Sequence, residues 1–493
     1  MKDLTVKEKT KNFEHLALII ITTFIVVRSL GLGSDISNSD AARWHRRSER
    51  FLEAVKDFNL KDTYQHYQPG VSLMWLSVPI RQAVHMYQRS LGVNAGLTPE
   101  FYPLLHGISK LEIVLVLAFL LGIQMKLIKD LYNDQTALLY GFFISLEPYL
   151  IGIDRWFHLT SLEVYFGFTA FLLLLYGLNR SNVANIRTSA FFYSLSILSK
   201  FTSILVLPLH LLLILKNSNK KRIVFALNFF VVLGVSVFVL FPALVVDFNN
   251  ILTKLMEVGA GAAADTIRQE SVFVSPYIYY LSILVFKLSV VTLVMFCLAI
   301  LNSKIVFGTF KQNKYILMYF LLYIVVLTLF KQKIDRYSLV FISPIILLIS
   351  SFVSITPVIF RKSLVTMTIL FFLIISFMYY PVYSAYYSPL LGGTVGAQKF
   401  RIYDNSGEYF AQAAQYLNSN YTDVKVYVPN NIESFSYFSH NVNVADYGAG
   451  AHFEVVSYDT DRPKLEPKLC HTLEKSFGPL YSTSVVIFKC ENF

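Results

Sequence analysis

The sequence predicts a polytopic α-helical membrane protein with a small α/β domain at its C-terminal end. Of its 493 residues, 55% are hydrophobic and only 15% are charged, and the mean hydropathy is +0.51. Apolar runs near the length of a bilayer crossing recur from residue 14 to residue 383, and the composition is polar after that. We therefore expect about eleven transmembrane helices in residues 1–383, with a first exterior loop at 33–105, and a soluble exterior domain in residues 384–493.

The charge distribution predicts how the chain is oriented. The formal net charge is +11, but the basic residues are scattered through short loops between apolar runs, as the positive-inside rule describes. This pattern argues against nucleic acid as a partner and for membrane lipids. The lysine-rich N-terminus is expected in the cytosol. The first apolar run has no small-residue cleavage site, so it is expected to remain as a span. We expect a multi-pass protein of the cell (inner) membrane whose C-terminal domain lies on the exterior, periplasmic side.

The span predictions follow the apolar runs in order. Single spans are expected at 14–30, 106–125, 135–152, 160–178, 223–246, 277–302, 315–330, 338–355 and 364–383. The segment 189–216 lies between two basic loops and contains Lys200 near its middle. If both loops are cytosolic, the segment must enter the membrane and return, turning near Lys200. One long tilted helix is the alternative. The hairpin is preferred because it keeps the later basic loops inside.

The C-terminal region reads as a small α/β domain. A helix is expected over Asp404 to Asn418, and strands over Val424 to Val428 and Ser484 to Lys489. Cys470 and Cys490 flank the last strands and could pair if the domain lies outside the cytosol. A structural or acceptor-docking role is expected for this domain rather than a second active site.

Ionisable residues collect in the loops that are expected on the exterior side. Asp35 and Asp40 follow the first span, and four arginines share one helical face after them: Arg43, Arg46, Arg47 and Arg50. The later loop 331–337 carries three cations on the side that normally avoids them. Cations and acids beside the hydrocarbon boundary suit a lipid phosphate and a general base. The alternative for the arginines is an amphipathic helix lying on lipid headgroups.

Several short motifs occur in the order found in one enzyme family. They are the acid after span one, Arg155-x-x-His158, Leu198-Ser-Lys200, Phe241-Pro-Ala243 followed by Asp247, and Lys333-Ile-Asp-Arg-Tyr337. In this order they resemble the GT-C membrane glycosyltransferases, and the nearest groups are the protein O-mannosyltransferase-like enzymes and the lipid A aminoarabinose transferases. The resemblance covers residues 14–383, and the exterior tail resembles the appended domain of bacterial members. It implies inverting transfer of a sugar from a polyprenyl-phosphate donor to an acceptor on the exterior face.

The resemblance also implies roles for individual residues. Asp40 is the expected general base, with Asp35 as its rival. The expected donor phosphate ligands are Lys200, Lys331, Lys333, Arg336 and Tyr337. The expected substrate-binding residues are Arg43, His66, Asp154, Arg155 and His158. Many relatives carry an Asp two residues after the position of His158, where this chain has Thr160. No cofactor is predicted, and a divalent cation in the exterior loops is left open because no ligand spacing argues for one.

Two other functions compete with glycosyl transfer. A transporter or lipid flippase would share the spans and the intramembrane charges, but it should place polar residues near the middle of the bilayer, often in repeated halves. The departure at Thr160 also leaves room for a catalytically silent membrane scaffold. The sequence does not identify the sugar or the acceptor.

Overall fold

The computed structural model describes residues 2–216, 221–264, 275–330, 333–403, 405–445, 447–458 and 465–491. Within this part of the chain, six helices are long and apolar enough to cross a membrane, or eight if two bent helix pairs each count as one span. Two shorter apolar helices occur at Phe201–Lys216 and Asn313–Leu329. Each of the eleven predicted segments coincides with a helix or a broken helix pair. The predicted fold class, a multi-pass helical membrane protein, is confirmed.

The helices of the membrane region and its loops are α1 (Lys2–Ser29), α2 (Ala41–Lys56), α3 (Val71–Ser90), α4 (Tyr102–Leu131), α5 (Asp134–Leu146), α6 (Pro148–Asp154), α7 (Leu159–Arg180), α8 (Val183–Ser199), α9 (Leu207–Lys216), α10 (Arg222–Leu240), α11 (Ala243–Val246), α12 (Phe248–Ala264), α13 (Tyr279–Lys287), α14 (Val290–Leu301), α15 (Ser303–Thr309), α16 (Asn313–Leu329), α17 (Ile342–Ser354) and α18 (Val358–Tyr379). Short 3₁₀ segments precede α9 at Phe201–Val206 and α17 at Asp335–Phe341. Helices α7 and α17 are largely buried, whereas α1, α10 and α18 expose most of their apolar residues. The buried helices therefore form the centre of the bundle, and the others face outward.

The segment 189–216 folds back on itself. Helix α8 ends at Ser199, and Lys200 takes an extended conformation before the 3₁₀ segment and α9. The ring of Tyr193 stacks on that of His210 with centroids 4.4 Å apart, and the Tyr193 hydroxyl donates to the Ser203 carbonyl at 2.8 Å. In one straight helix, Tyr193 and His210 would be separated by roughly 25 Å. The predicted hairpin with its turn at Lys200 is confirmed, and the single tilted helix is excluded.

The C-terminal region contains a five-stranded mixed sheet. Its helices are α19 (Gly393–Lys399), α20 (Phe410–Asn420) and α21 (Ile432–Ser436), and its strands are β1 (Val424–Tyr427), β2 (Val442–Ala445), β3 (Phe453–Ser457), β4 (Thr472–Phe477) and β5 (Val485–Lys489). The strand order is β2-β1-β3-β5-β4. Strand β1 runs parallel to β2 and β3, and β5 runs antiparallel to β3 and β4. The predicted α/β character is confirmed, while the boundary of the domain at residue 384 stays a prediction.

The predicted helix in this region begins later than the sequence pattern indicated. Helix α20 starts at Phe410 instead of residue 404, because Gly407 and Tyr409 both have positive φ angles, of 114° and 67°, that interrupt a helix. A Cβ atom at Gly407 would lie 2.5 Å from the Ser37 carbonyl oxygen, so this turn sits directly against the first loop. Cys470 and Cys490 form a disulfide.

The C-terminal domain is hydrogen-bonded to the first loop. The Ser39 backbone N–H donates to the Ser406 carbonyl at 2.8 Å. The Arg46 guanidinium donates to Glu433 at 2.7 Å and to the Tyr437 hydroxyl at 3.0 Å. Helix α2 buries its apolar face and turns Arg43 and Arg46 toward this domain. These two arginines therefore contact protein, which differs from a helix lying only on headgroups.

Candidate active site

Asp40 lies where three separate segments of the chain meet. It occupies the position before the first residue of α2, and its Oδ2 accepts from Arg336 Nη2 at 3.0 Å and lies 3.5 Å from His158 Nε2. Arg43 approaches the other carboxylate oxygen at 3.8 Å. The Asp40 side chain is still 25% exposed. The carboxylate is therefore held in place by cations and by an imidazole but can be reached by a substrate.

These neighbours determine the protonation of Asp40 and His158. Burial alone would raise the pKa of Asp40, but the hydrogen bond from His158 and the charge of Arg336 lower this pKa below its ordinary range. Burial lowers the pKa of His158 to about 4, even though Asp40 opposes this shift. The Nδ1 atom of His158 accepts from the Thr160 backbone N–H at 3.3 Å, which leaves the proton on Nε2 facing Asp40. At neutral pH, the site thus holds an ionised Asp40 and a neutral His158.

Lys200 brings a second cation to the same place from the hairpin turn. Its ammonium lies 3.6 Å from a Glu163 carboxylate oxygen and 3.6 Å from the centre of the Tyr337 ring. Glu163 also accepts from the Ser203 hydroxyl at 3.3 Å and from the hydroxyl of Thr202. Arg336 and Asp40 are close enough to influence the charge of Lys200. Lys200 and Tyr337 therefore lie together next to Arg336, and the phosphate-binding role expected for these three residues stays a prediction.

The loop carrying His66 packs between α2 and the hairpin turn. The Gly70 N–H donates to the Ser199 carbonyl at 3.2 Å, and the Phe201 N–H donates to the Gln68 side chain at 3.3 Å. Gly70 has φ +61°, and a Cβ atom there would lie 2.2 Å from the Trp44 ring. Only glycine fits this turn without displacing the indole. His66 packs edge-on against Trp44, with centroids 5.7 Å apart, which places it near the site.

Asp35 lies apart from this site in a buried ion-pair cluster. Its side chain is 0% exposed and contacts Lys110 Nζ at 2.6 Å and Arg155 Nη2 at 3.0 Å. Burial opposes its ionisation, but the charges of Lys110 and Arg155 lower its pKa. Both oxygens of this carboxylate therefore have cationic protein partners. The structure therefore gives Asp35 a structural partner set and leaves Asp40 as the accessible acid.

Two further predicted substrate residues have similar buried partners. Asp154 accepts from Arg28 Nε at 2.9 Å and from the Ser161 and Tyr165 hydroxyls at 2.7 and 3.1 Å. Arg155 is occupied by Asp35. Asp154 and Arg155 are thus both occupied by protein partners. The Thr160 hydroxyl, where many relatives carry an Asp, lies 3.0 Å from His158 Nδ1.

The cations of the loop 331–337 differ in their positions. Lys331 lies outside the described residues. Lys333 donates to the carbonyls of Leu327, Thr328 and Phe330 at 2.6–2.9 Å, so its ammonium caps the C-terminal end of α16. A cation at a helix C-terminus needs no anionic ligand to explain it. The Lys333 ammonium therefore has protein partners of its own, and the phosphate role expected for it stays a prediction.

Arg336 is held in position from the opposite side. Its neighbour Asp335 pairs with Lys287 at 3.4 Å, and Tyr149 donates to the Asp335 carbonyl at 3.0 Å. The Lys287 ammonium also lies 3.6 Å from the centre of the Tyr387 ring. These contacts fix the backbone of the 3₁₀ segment that presents Arg336 and Tyr337.

Several contributing residues were missed in the sequence. Glu163 and Lys110 lie inside the predicted spans 160–178 and 106–125, where an ionisable side chain is costly without a partner. Their position inside apolar spans was therefore a sequence signal that both residues have a charged or polar partner. Glu433 carried no comparable signal, because it lies in a polar domain. Among the described residues, no group of three or more His, Cys, Asp or Glu side chains is arranged to hold a metal ion.

Comparisons with known proteins give structural matches only. No family model and no curated protein matches the chain. The oligosaccharyltransferase of Archaeoglobus fulgidus, solved in its apo form, aligns at a TM-score of 0.51 with 11% identity, over 90% of this chain and 69% of that one. ArnT of Cupriavidus metallidurans, solved bound to undecaprenyl phosphate, aligns at a TM-score of 0.50 with 12% identity, over 95% of this chain and 97% of that one. The protein therefore has a GT-C-like fold, as the order of its sequence motifs predicted.

Proposed function

We propose that the protein is an integral membrane glycosyltransferase. In this proposal it moves a sugar from a polyprenyl-phosphate donor to an acceptor on the exterior face. The observation that carries the proposal is the partly exposed Asp40 carboxylate, held between Arg336 and His158 with Lys200 close by. Transfer of a sugar from a phosphate leaving group needs a base that takes the acceptor's proton and cations that stabilise the leaving phosphate, and this site contains both. The ArnT structure that binds undecaprenyl phosphate adds support for this class of donor.

The chemistry is a single displacement with inversion. The acceptor oxygen or nitrogen attacks the anomeric carbon and gives its proton to Asp40. The bond between that carbon and the phosphate oxygen breaks, and its electron pair leaves with the phosphate. The phosphodiester with one negative charge becomes a monoester with about 1.5 to 2 negative charges near pH 7. Arg336 and Lys200 are placed to stabilise the charge that develops.

The protonation of the site is compatible with this role. Arg336 and His158 lower the pKa of Asp40, so the carboxylate is ionised but is a weak base while both groups are paired with it. A bound donor phosphate would share the Arg336 charge and so raise the pKa of Asp40 toward the range needed for proton transfer. Neutral His158 can continue to donate from Nε2 while this happens.

The location of the site supports an exterior reaction. The predicted cytosolic N-terminus begins α1, and the Asp40 site lies just beyond the other end of that helix. The disulfide between Cys470 and Cys490 is compatible with a compartment outside the reducing cytosol. The site is built at helix ends and loops, whereas a transporter would place its binding residues near the middle of the membrane.

The lipid that copurifies with the protein tests the donor class. Mass spectrometry of lipid extracts from the purified wild-type protein is expected to show a polyprenyl phosphate. Arg336→Ala should lower affinity for undecaprenyl phosphate roughly tenfold to a hundredfold, because a hydrogen bond to a charged group contributes about 1.5–3 kcal/mol. Lys333→Ala is the matched control three residues away, and it should affect stability rather than affinity. An unchanged affinity in Arg336→Ala would remove Arg336 from the donor site.

A further inference from the structure

The arginines near Asp40 differ in whether they have anionic partners. Arg336 pairs with Asp40, and Arg46 pairs with Glu433. Arg43 lies 3.6 Å from Glu433 and 3.8 Å from Asp40. Arg47 makes no ion pair with any residue that the structure describes. Among these arginines, it is therefore the one with no carboxylate within ion-pair distance in the described part of the chain.

Arg47 is nevertheless held in a defined position. Its guanidinium lies 4.5 Å from the centre of the Trp44 ring, and it is half-buried on α2. Trp44 is itself fixed, since Gly70 and His66 both pack against its ring. A cation stacked on a rigid indole loses little further conformational entropy when it binds an anion. The arrangement is pre-organised for a ligand instead of being a solvated surface arginine.

The surroundings of Arg47 place it on the Asp40 site. It follows Asp40 by two helical turns on the face of α2 that also carries Arg43. The Trp44 ring beside it packs against Gly70, whose N–H donates to the carbonyl of Ser199, the residue before Lys200. Arg336 therefore reaches Asp40 from the 3₁₀ segment, and Arg47 lies further along α2, beside the turn that leads to Lys200.

We propose that Arg47 is a second ligand of the donor phosphate, acting together with Arg336. This inference rests on the proposed function, and it adds a residue to the phosphate site that the sequence motifs did not include. Arg336 is paired with Asp40, and Lys200 is paired with Glu163. Arg47 supplies the positive charge that matches the one negative charge of the phosphodiester. A planar guanidinium also suits the two oxygens of a phosphate better than a lysine ammonium does.

The contact should strengthen as the reaction proceeds. When the sugar leaves, the phosphate gains negative charge, and the electrostatic attraction to Arg47 increases with it. Arg47 is therefore expected to bind undecaprenyl phosphate, the product-like monoester, more strongly than a glycosylated diester. This difference separates a phosphate ligand from a residue that only supports the loop.

The experiment compares four proteins with two lipid probes. Arg47→Met keeps an apolar stem over Trp44 and removes the charge, Arg47→Lys keeps the charge and removes the planar fork, and Arg50→Ala changes an exposed arginine one turn further along α2. The probes are undecaprenyl phosphate and undecaprenyl phosphate mannose, and binding is measured in detergent by calorimetry. Melting temperatures of all variants are recorded to separate folding from affinity.

Arg47→Met should weaken undecaprenyl phosphate binding at least tenfold and the mannosylated lipid less. Arg47→Lys should fall between Met and wild type, and Arg50→Ala should stay within twofold of wild type. Equal affinities in Arg47→Met and wild type, with normal melting, would overturn the inference while leaving the proposed function standing. An equal loss for both probes would make Arg47 a support of the loop and also overturn it. If the wild-type protein binds neither lipid, the proposed function fails and this inference fails with it.

Discussion

Asp40→Asn should lower the rate of sugar transfer by about 10²–10⁴-fold, the range that a positioned general base contributes. The asparagine keeps the size of the side chain and can still contact Arg336 and His158, but it cannot accept the acceptor's proton. Affinity for undecaprenyl phosphate should be unchanged or higher, because a negative charge beside the phosphate has been removed. The measurement is a pair of assays, turnover at saturating donor and equilibrium lipid binding.

Asp57→Asn is the control for this variant. Asp57 is an exposed acid at the other end of α2, and its replacement should leave turnover near the wild-type value. Near-normal turnover in Asp40→Asn would show that another group takes the proton. A large loss of lipid binding would instead show that Asp40 orders the phosphate site.

Asp35→Asn should destabilise the protein by about 3–5 kcal/mol, the cost of removing one partner from a buried ion pair. Lys110 and Arg155 would keep their charges but lose the carboxylate that both contact, at 2.6 and 3.0 Å. Thermal unfolding in detergent should show a clearly lower transition temperature, whereas Asp40→Asn should melt close to wild type. The folded fraction of Asp35→Asn should retain measurable sugar transfer per folded molecule.

The pH dependence of this effect has a definite sign. The pKa of Asp35 is lowered in the folded protein, so its contribution to stability is fully present above the unfolded value of about 3.9. The contribution is lost as the pH falls from that value through the folded pKa. The stability gap between wild type and Asp35→Asn should therefore be constant from pH 5 to pH 8. A gap that closes on moving from pH 8 to pH 5 would contradict the assigned ion pairs.

The contrast between the two acids shows what the sequence could and could not distinguish. Both follow the first span, and the motif order favoured Asp40 without excluding Asp35. The two acids differ in burial: Asp35 is buried because it pairs with Lys110, which lies 75 residues away in the sequence. Lys110 within an apolar span does need a buried counter-charge. That requirement pointed to an acid nearby but did not identify which one.

The two cations near residue 335 illustrate a similar limit. The positions of the basic loops predicted that Arg336 and Asp40 lie on the same side of the membrane. The structure places the two side chains 3.0 Å apart, although 296 residues separate them in the sequence. The same argument assigned Lys333 to the phosphate, yet its ammonium is held by three carbonyls at the end of α16. A helix cap and a phosphate ligand both appear in sequence as a cation after an apolar run. Only the orientation of the side chain separates them.

The helical framework was more predictable than the site. Each span is recognised by its own local hydropathy, and the hairpin at Lys200 followed from the basic loops on either side. The first loop depends on contacts between distant segments, such as Arg46 with Glu433, which are 387 residues apart. Such contacts leave no periodic pattern in the sequence. The sequence therefore predicted only a structural or acceptor-docking role for the C-terminal domain and did not reveal its contacts with the first loop.

The most direct test of the central claim is the fate of a labelled donor. Wild-type protein in proteoliposomes would receive undecaprenyl phosphate carrying a radiolabelled sugar, together with a cell-envelope fraction as the acceptor source. The proposed glycosyltransferase predicts labelled acceptor and an equal amount of free undecaprenyl phosphate, with both products absent in Asp40→Asn. Movement of the intact labelled lipid across the bilayer, without release of undecaprenyl phosphate, would contradict glycosyl transfer and favour a flippase.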